Sequence, residues 1–532
     1  MMNFAYFGKQ LGYLFKSPCI KVNCFLKSYK TLSKSSFRIL VFHVNPFWIQ
    51  LVYFLILSLV GFLALKVSKP RTPPSLKPND LDIFFTSVST ATVSSMTSVE
   101  MEVLSNTQLI IMTILMLVGG EVFTSMLEIQ FKRSKFSRHS LSNPTSSLEL
   151  VPADDSHGLA ENEKSAEIDL ESHRNSSGIE SLQSASMKTL GYVVLGYLLV
   201  IHISGSSLVA LYTSLVPSAR EVLTKKAIQV QTFSLFTVVS TFSNCGFVPT
   251  NENMIVFKKN SGLLLLLIPQ TLLGNTLYAP TLRFLIWVLE KMTKRVEYKY
   301  MLKNSREMGY SHLMSGVRCW FLFGTVLVFL LAELVVFCSM EWNSGVMDGL
   351  SWFEKLVAAL FQVVSSRHSG ESVFDLSTIS PAILVIFVVM MYLPPYTSFL
   401  PMEIKEEEGI VRSESKNQRK TTMQCLLFSQ LSYIVIFIIL ICIVEREKMK
   451  TDPLNFNVLN ITIEVISAYG NVGFSSGYSC ERRLHKESWC KDEWYGFVGK
   501  WSNLGKIILI IVMFFGRLKK FFINGGKAWK LS

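Results

Sequence analysis

One pattern dominates this sequence of 532 residues: a long apolar segment, a short one and a second long one, repeated four times. Segments of about 20 apolar residues cross a bilayer, whereas shorter ones are buried or re-entrant. The sets are 47–64, 83–95 and 108–129 in repeat A; 190–215, 230–246 and 263–289 in repeat B; 320–340, 353–370 and 379–400 in repeat C; and 426–444, 456–473 and 504–522 in repeat D. The pattern predicts an all-α membrane protein with eight transmembrane helices and four re-entrant pore loops.

Composition and charge agree with a bilayer environment. Hydrophobic residues make up 49% of the chain and charged residues 17%, against about 25% charged in soluble proteins. The net charge is +13, but the basic residues flank the apolar segments, which the positive-inside rule explains better than a nucleic-acid partner does. If each short loop enters and leaves from the outside, both termini lie in the cytosol of a multi-pass plasma-membrane protein.

The connections between the repeats set the predicted domain boundaries. These are a basic N-terminal tail (1–46), repeat A (47–131), a linker (132–188), repeat B (189–290), a linker (291–318), repeat C (319–402), a linker (403–423), repeat D (424–525) and a C-terminal tail (526–532). The first linker is rich in Ser, Asn, Glu and Asp and predicts a disordered cytosolic segment. Its basic, Ser-rich start at 132–142 fits a kinase target, but a solvated linker is the interpretation that the composition favours.

The ends of the four short segments align on one column. They read Val93-Ser94-Ser95, Asn244-Cys245-Gly246, His368-Ser369-Gly370 and Asn471-Val472-Gly473, so that the column holds Ser95, Gly246, Gly370 and Gly473. A serine lies six residues ahead of the column in repeats A, B and D, while repeat C is one residue shorter there. The alignment predicts that four similar loops line one shared pore.

Glycine in such a loop has a physical meaning. It adopts dihedral angles closed to other residues and lets backbones approach closely. Carbonyl groups then turn toward an ion and replace its water, while each preceding helix aims its negative C-terminal end at the cation. Irregular backbone at membrane depth is tolerated where it lines a watery cavity. The four loops therefore predict a cation pathway in which backbone carbonyls bind Na⁺ or K⁺, with no other cofactor.

Several other residues have two interpretations each. Asn251 and Asn253 follow the second loop and fit either an ordered pore mouth or simple satisfaction of loop backbone groups. Cys480 and Cys490 fall in one predicted external loop, where a disulfide and two free thiols both fit. The charges predicted inside the membrane fit internal pairing or an electrostatic effect on the pore; they are Glu121, Arg283, Glu333 and Glu464. The sequence contains no catalytic or zinc-binding motif, so no enzyme is predicted.

Nearly the whole chain, from about Pro46 onward, resembles the plant HKT transporters of the Trk/Ktr/HKT superfamily. The stretches that carry the resemblance are SSM at 94–96, VEME at 99–102, SNCGFVPTNENM at 243–254, YLPPY at 392–396 and GRLKK at 516–520. The family's fold, four membrane–pore–membrane repeats around a pseudo-fourfold axis, is the one that the repeats predict independently.

The resemblance implies a function and further site residues. A serine at the column position of the first loop, with glycine at that position in the other three loops, resembles the Na⁺-selective subfamily. This resemblance implies passive Na⁺ transport and retrieval of Na⁺ from the xylem. It implies a pore position for Arg517, against the alternative that this side chain extends to the cytosolic interface. It also implies a homodimer with one pore in each chain. The alternatives are K⁺ transport or Na⁺/K⁺ symport and, in a different class, a non-conducting receptor or scaffold.

Overall fold

The computed structural model describes residues 46–71, 78–130, 159–398, 430–483, 490, 492 and 496–519, with backbone alone at 46, 159–180, 368 and 519. The tails, the segment 132–142 and the linker 403–423 lie outside these residues. The chain divides into two units, Met1–Tyr53 and Phe54–Ser532. The described part of the first unit is the start of a helix, and the second unit holds all that follows.

The regular secondary structure of the described residues is helical, and these residues contain no β-strand. Each repeat has an outer helix, a pore helix and an inner helix. The outer helices are Pro46–Val67, Leu159–Leu215, Gly316–Glu341 and Gln430–Val444. Pore helices A to D are Asp80–Thr92, Val230–Ser243, Trp352–His368 and Val458–Gly470. The inner helices begin with Asn106–Gly119, Ser261–Gly274, Pro381–Tyr392 and Asn503–Lys519. Shorter helices are Pro217–Lys225, Val296–Lys303 and Arg446–Thr451. This order confirms the predicted fold class.

The spans differ from the prediction in length and shape. Among the described residues, three helices are long and apolar enough to cross a bilayer, namely Phe47–Val67, Ser181–Leu215 and Gly316–Glu341, and two bent pairs raise the number to five. The inner helix of repeat A bends by 52° into Glu121–Gln130, and that of repeat B bends by 85° into Tyr278–Thr293. Both were predicted as single spans. Their apolar composition continues through the bend, so hydropathy alone does not reveal it.

The structure differs from the predicted disorder in the second half of 132–188, which it describes as helical. A helix begins at Leu159 and continues without a break to Leu215. The segment is polar, but it contains many Ala, Glu, Lys and Leu residues, which favour helices. It also joins directly onto an apolar span that is already helical, so no separate nucleation is needed.

The inner helices pack closely on the ends of the pore helices because glycine removes the side chain at the contact. A Cβ at Gly119 would overlap the carbonyl oxygen of Ala91, one at Gly274 that of Phe242, and one at Gly516 that of Tyr469. Each of these carbonyls lies four residues ahead of the aligned column in its own repeat. Three repeats thus use the same glycine contact to hold the end of a pore helix.

Cys480 and Cys490 form a disulfide, which decides between the two alternatives that the sequence leaves open. Further bonds hold the same region: the Cys480 backbone N–H donates to Asp492 at 2.6 Å, and Asn455 donates to the Ser479 carbonyl at 3.0 Å. The bridge closes a short loop in the connection between pore helix D and the last inner helix.

Candidate functional site

Three pore helices end in the same way. The capping residues Val93, Asn244 and Asn471 have φ of 58°, 56° and 52°, a left-handed conformation that stops a helix. The next residue then donates its N–H five positions back: Ser94 to the Ser89 carbonyl at 2.8 Å, Cys245 to Ser240 at 2.9 Å, and Val472 to Ser467 at 2.9 Å. The three serines predicted by the alignment therefore accept the bond that closes each cap.

Repeat C reaches the same end with one residue fewer. Its helix continues to His368, and Ser369 stays right-handed with φ −84°. The Gly370 N–H then donates to the Ser365 carbonyl at 3.0 Å. Ser365 thus accepts the bond that Ser89, Ser240 and Ser467 accept in the other three repeats. The residue that repeat C lacks is the left-handed cap between the helix and the column. This places Gly370 in the predicted column, with φ +73°; the side chain of His368 is not described.

The structure brings the four column residues together. Ser95, Gly246, Gly370 and Gly473 have φ of 52°, 86°, 73° and 105°, all in the left-handed region. A Cβ at Gly246 would overlap the Ser369 carbonyl, one at Gly370 the Val472 carbonyl, and one at Gly473 the Ser95 side chain. The Cys245 side chain lies close to the Ser95 backbone. Loop A therefore contacts B, B contacts C, C contacts D and D contacts A.

Side chains reinforce this ring of loops. The Asn471 amide donates to the Ser94 hydroxyl at 2.7 Å and to the Met513 carbonyl at 3.2 Å, joining loop D to loop A and to the last inner helix. A cavity beside the ring is lined by three of the four column residues, Ser95, Gly370 and Gly473, and also by Thr97, Thr250, Asn251, Asn253, Asp375 and Ser475. The column residues bring loop backbone to the edge of this cavity, and backbone carbonyls are groups that can replace the water of a cation.

The two asparagines after loop B connect neighbouring loops. Asn251 accepts from the Glu102 N–H at 3.1 Å, and Asn253 accepts from the Ser372 N–H at 3.3 Å. They satisfy backbone groups and, in doing so, join loop B to repeat A on one side and to loop C on the other. These bonds are the ones that the second interpretation describes, and a role in ordering a pore mouth stays a prediction. The third asparagine, Asn244, bonds within its own repeat, to the Phe242 carbonyl at 3.1 Å.

A lysine joins two acidic groups of repeats A and B. Lys226 Nζ lies 2.5 Å from Glu102 Oε1 and 2.5 Å from Glu252 Oε2. Burial by itself lowers the pKa of Lys226, but the two carboxylates outweigh burial and raise it. Because the pKa of Lys226 is raised, the two ion pairs give their full stabilisation at neutral pH. This stabilisation is lost as the pH rises through the pKa of Lys226, which lies above its ordinary value of 10.5.

Lys226→Met is expected to destabilise the protein by about 1–3 kcal/mol, because it leaves two half-buried carboxylates together without their cation. Lys225→Met is the matched control, since Lys225 is exposed and pairs with Glu221 within its own helix. Thermal unfolding in detergent, followed by size-exclusion chromatography, measures both. Equal transition temperatures for the two variants would contradict this role for Lys226.

Arg517 lies on the last inner helix and is 2% exposed. Its guanidinium donates to the Gly119 carbonyl, where the inner helix of repeat A bends, and it stacks 5.3 Å from the centre of the Phe54 ring. The side chain is therefore buried within the described part of the chain rather than extended to a surface. It joins the last repeat to the first.

Three further buried polar residues contact the loops; the sequence named one of them, Glu464, as a charge inside the membrane, and it predicted a contact with the loops for none of them. Glu371 directly follows Gly370, is fully buried and lies 2.6 Å from the Thr241 hydroxyl of pore helix B. Gln362 and Glu464 lie on pore helices C and D and bond to the backbone just past each glycine. The sequence could have indicated these residues only through their positions relative to the column glycine. The four repeats carry chemically different residues at those positions, so no pattern was visible.

Of the other charges predicted inside the membrane, Arg283 and Glu333 have identifiable partners. Arg283 donates to the carbonyls of Met314 and Leu302, at 2.8 and 3.1 Å. Glu333 accepts from the Ser366 hydroxyl at 2.8 Å. Both side chains bind neighbouring segments of the chain, which agrees with internal pairing.

Four re-entrant loops that meet in one ring between apolar helices define a pore-loop membrane protein. Residues 162–523 match the family model TrkH, described as a cation transport protein. The chain therefore belongs to the HKT/Trk superfamily, and it transports cations across a membrane.

Similar proteins cover nearly the whole chain. It is 49% identical to the cation transporter HKT1;3 of Oryza sativa subsp. japonica, over 96% of each chain. It is 52% identical to the sodium transporter HKT1 of Arabidopsis thaliana, over 88% of this chain and 92% of that one. The fold is shared with the potassium transporter TrkH from Vibrio parahaemolyticus, with a TM-score of 0.50, 14% identity and coverage of 90% and 83%.

Proposed function

We propose that this protein is a passive, channel-like Na⁺ transporter whose selectivity filter is the ring of Ser95, Gly246, Gly370 and Gly473. The observation that carries the proposal is the single serine in a ring otherwise made of glycine. Its Cβ fills the space beside Gly473, so the neck is less open on that side than a ring of four glycines would be.

The physical argument concerns how much water the ion keeps. K⁺ conduction needs several well-placed carbonyls that replace most of the hydration shell. A side chain at one of four positions displaces one set of carbonyls, and Na⁺ tolerates this better because it retains more of its water. The relative from Arabidopsis thaliana, at 52% identity, is named a sodium transporter, which supports the same direction. The buried Arg517 adds a positive charge near the inner end of this path and would limit the cation flux.

The proposal includes the setting of the protein. We place it in the plasma membrane with both termini in the cytosol, as a homodimer with one pathway in each chain. The resemblance to plant relatives implies retrieval of Na⁺ from the xylem stream as the physiological role. The Ser-rich segment at 132–142 would then be accessible to a cytosolic kinase.

Voltage clamp of oocytes that express the full chain tests the proposal. The reversal potential is expected to follow the external Na⁺ concentration and to change little when K⁺ is varied at constant Na⁺. A reversal potential that follows K⁺ equally would contradict Na⁺ selectivity. Absence of any cation current, with the protein shown at the surface by biotinylation, would contradict the transport function itself.

A further inference from the structure

The lysine bridge between repeats A and B borders the cavity beside the ring. Lys226 lies just ahead of pore helix B, and Glu102 and Glu252 follow filter loops A and B. All three residues therefore lie on the side of the protein from which the loops enter. Glu252 lines the cavity, and so does Asn251, whose N–H donates at 3.0 Å to the same Glu102 oxygen that faces Lys226. A charge at this bridge thus lies beside the route by which a cation reaches the ring.

The backbone around Lys226 fixes the position of its ammonium group. The carbonyls of Lys226 and Ala227 both accept from the Arg71 guanidinium, the first of them at 3.1 Å. The Arg71 N–H donates to the Val103 carbonyl at 2.9 Å, and Val103 directly follows Glu102. The Lys226 side chain is 17% exposed. The bridge is therefore a built contact between two repeats, unlike an exposed ion pair whose long side chains are free to separate.

The ammonium group occupies the point at which a divalent cation would bind. Lys226 Nζ is 2.5 Å from one oxygen of Glu102 and 2.5 Å from one oxygen of Glu252. Ca²⁺ binds carboxylate oxygens at about 2.3–2.6 Å, so the two acids surround a point at the right distance for this ion. Two carboxylates and one ammonium leave one net negative charge, which still attracts a monovalent cation.

The other acid at this cavity also has a basic neighbour. Within the described part of the chain, Glu252 and Asp375 are the carboxylates that line the cavity. Arg482 lies close enough to Asp375 to interact with it electrostatically. Arg482 is held in place by the carbonyls of Ser476 and Gly477, to which it donates at 3.3 and 3.4 Å. Each acid at the cavity is thus accompanied by a cation that belongs to the protein itself.

We propose that Lys226 is a specificity-determining residue that keeps Ca²⁺ out of the outer mouth of the cation pathway. Its ammonium is a tethered cation that takes the place of Ca²⁺ between Glu102 and Glu252. A Ca²⁺ ion bound there would obstruct the route to the ring, whereas monovalent cations pass a single net negative charge. The inference rests on the proposed function, because it takes the cavity beside the ring as the entrance to the filter.

Lys226→Met tests the inference, because it leaves two carboxylates free to bind Ca²⁺. The external Ca²⁺ concentration that halves the Na⁺ current should fall roughly tenfold or more. Lys225→Met is the matched control: it removes the same charge from an exposed lysine that pairs with Glu221 in its own helix, and it should leave inhibition by Ca²⁺ unchanged. Adding Glu252→Gln to Lys226→Met removes one of the two carboxylates and should return inhibition close to the wild-type level.

Currents are measured in oocytes under voltage clamp at constant Na⁺ and normalised to surface protein. A new sensitivity to Ca²⁺ is a gain that a loss of structure does not produce. Unchanged inhibition in Lys226→Met, an equal change in Lys225→Met, or a double variant as sensitive as Lys226→Met would each overturn the inference.

A second variant decides if Lys226→Met does not reach the surface. Glu252→Gln removes the carboxylate that lines the cavity, so the external Na⁺ concentration for half-maximal current should rise roughly two- to threefold. An unchanged value would place the bridge away from the cation route and overturn the inference. A wild-type protein at the surface that carries no cation current would instead overturn the proposed function.

Discussion

Gly370→Ala is expected to reduce cation current roughly tenfold to a hundredfold in protein that still reaches the membrane. The new Cβ would overlap the Val472 carbonyl and approach Gly473, so loops C and D must separate. Overpacking of this kind costs about 1–3 kcal/mol, and each 1.4 kcal/mol is a factor of about ten in an equilibrium such as ion binding. The ring is a contact of backbone on backbone, which leaves little freedom to adjust.

Gly349→Ala is the matched control for this substitution. Gly349 has the same φ of +73° as Gly370, but a Cβ there would meet nothing within 4 Å. Both variants carry the cost of alanine in the left-handed region, about 1–2 kcal/mol, and only one of them carries the overlap. Whole-cell current normalised to surface biotinylation compares them. Equal losses in the two variants would mean that backbone strain, rather than contact between loops, explains the effect.

Ser95→Gly is expected to lower the Na⁺/K⁺ permeability ratio by roughly tenfold, which corresponds to about 1.4 kcal/mol. The change removes the only side chain in the ring and relieves a non-glycine residue at φ +52°. Loop A can then adopt the geometry of the other three loops, and the four sets of carbonyls become more nearly equivalent. Bi-ionic reversal potentials with Na⁺ and K⁺ give the ratio directly.

Ser95→Ala separates the two parts of that side chain. Alanine keeps the Cβ that lies beside Gly473 and removes the hydroxyl. The Na⁺ preference should survive in Ser95→Ala if the Cβ sets the shape of the ring, as the contact with Gly473 indicates. Loss of selectivity in the alanine variant would assign the effect to the hydroxyl, and an unchanged ratio in Ser95→Gly would remove Ser95 from the filter.

The sequence predicted much of this fold because the signal was repeated. Four short apolar segments gave the pore helices to within a few residues, and the glycine column gave the loops that the structure brings together. The bends after Gly119 and Gly274 were missed because apolar residues continue on both sides. The helix from Leu159 was missed because its first half is polar in sequence, although its residues favour helices.

The polar support of the loops was not predictable in the same way. Gln362 and Glu464 occupy equivalent positions, yet one is an amide and the other an acid, and two repeats carry threonine there. A shared position without shared chemistry leaves no pattern in a single sequence. Glu371 was missed for a related reason: its partner Thr241 belongs to another repeat, 130 residues away along the chain.

The most direct test is to locate the ion. The protein would be reconstituted in lipid nanodiscs and its structure determined by cryo-electron microscopy in NaCl, with a second data set in KCl. Density for a bound cation is expected on the axis bounded by Ser95, Gly246, Gly370 and Gly473, and it should be stronger in Na⁺ than in K⁺. A map in which these four residues surround no common opening, or in which the ion binds elsewhere, would contradict the account.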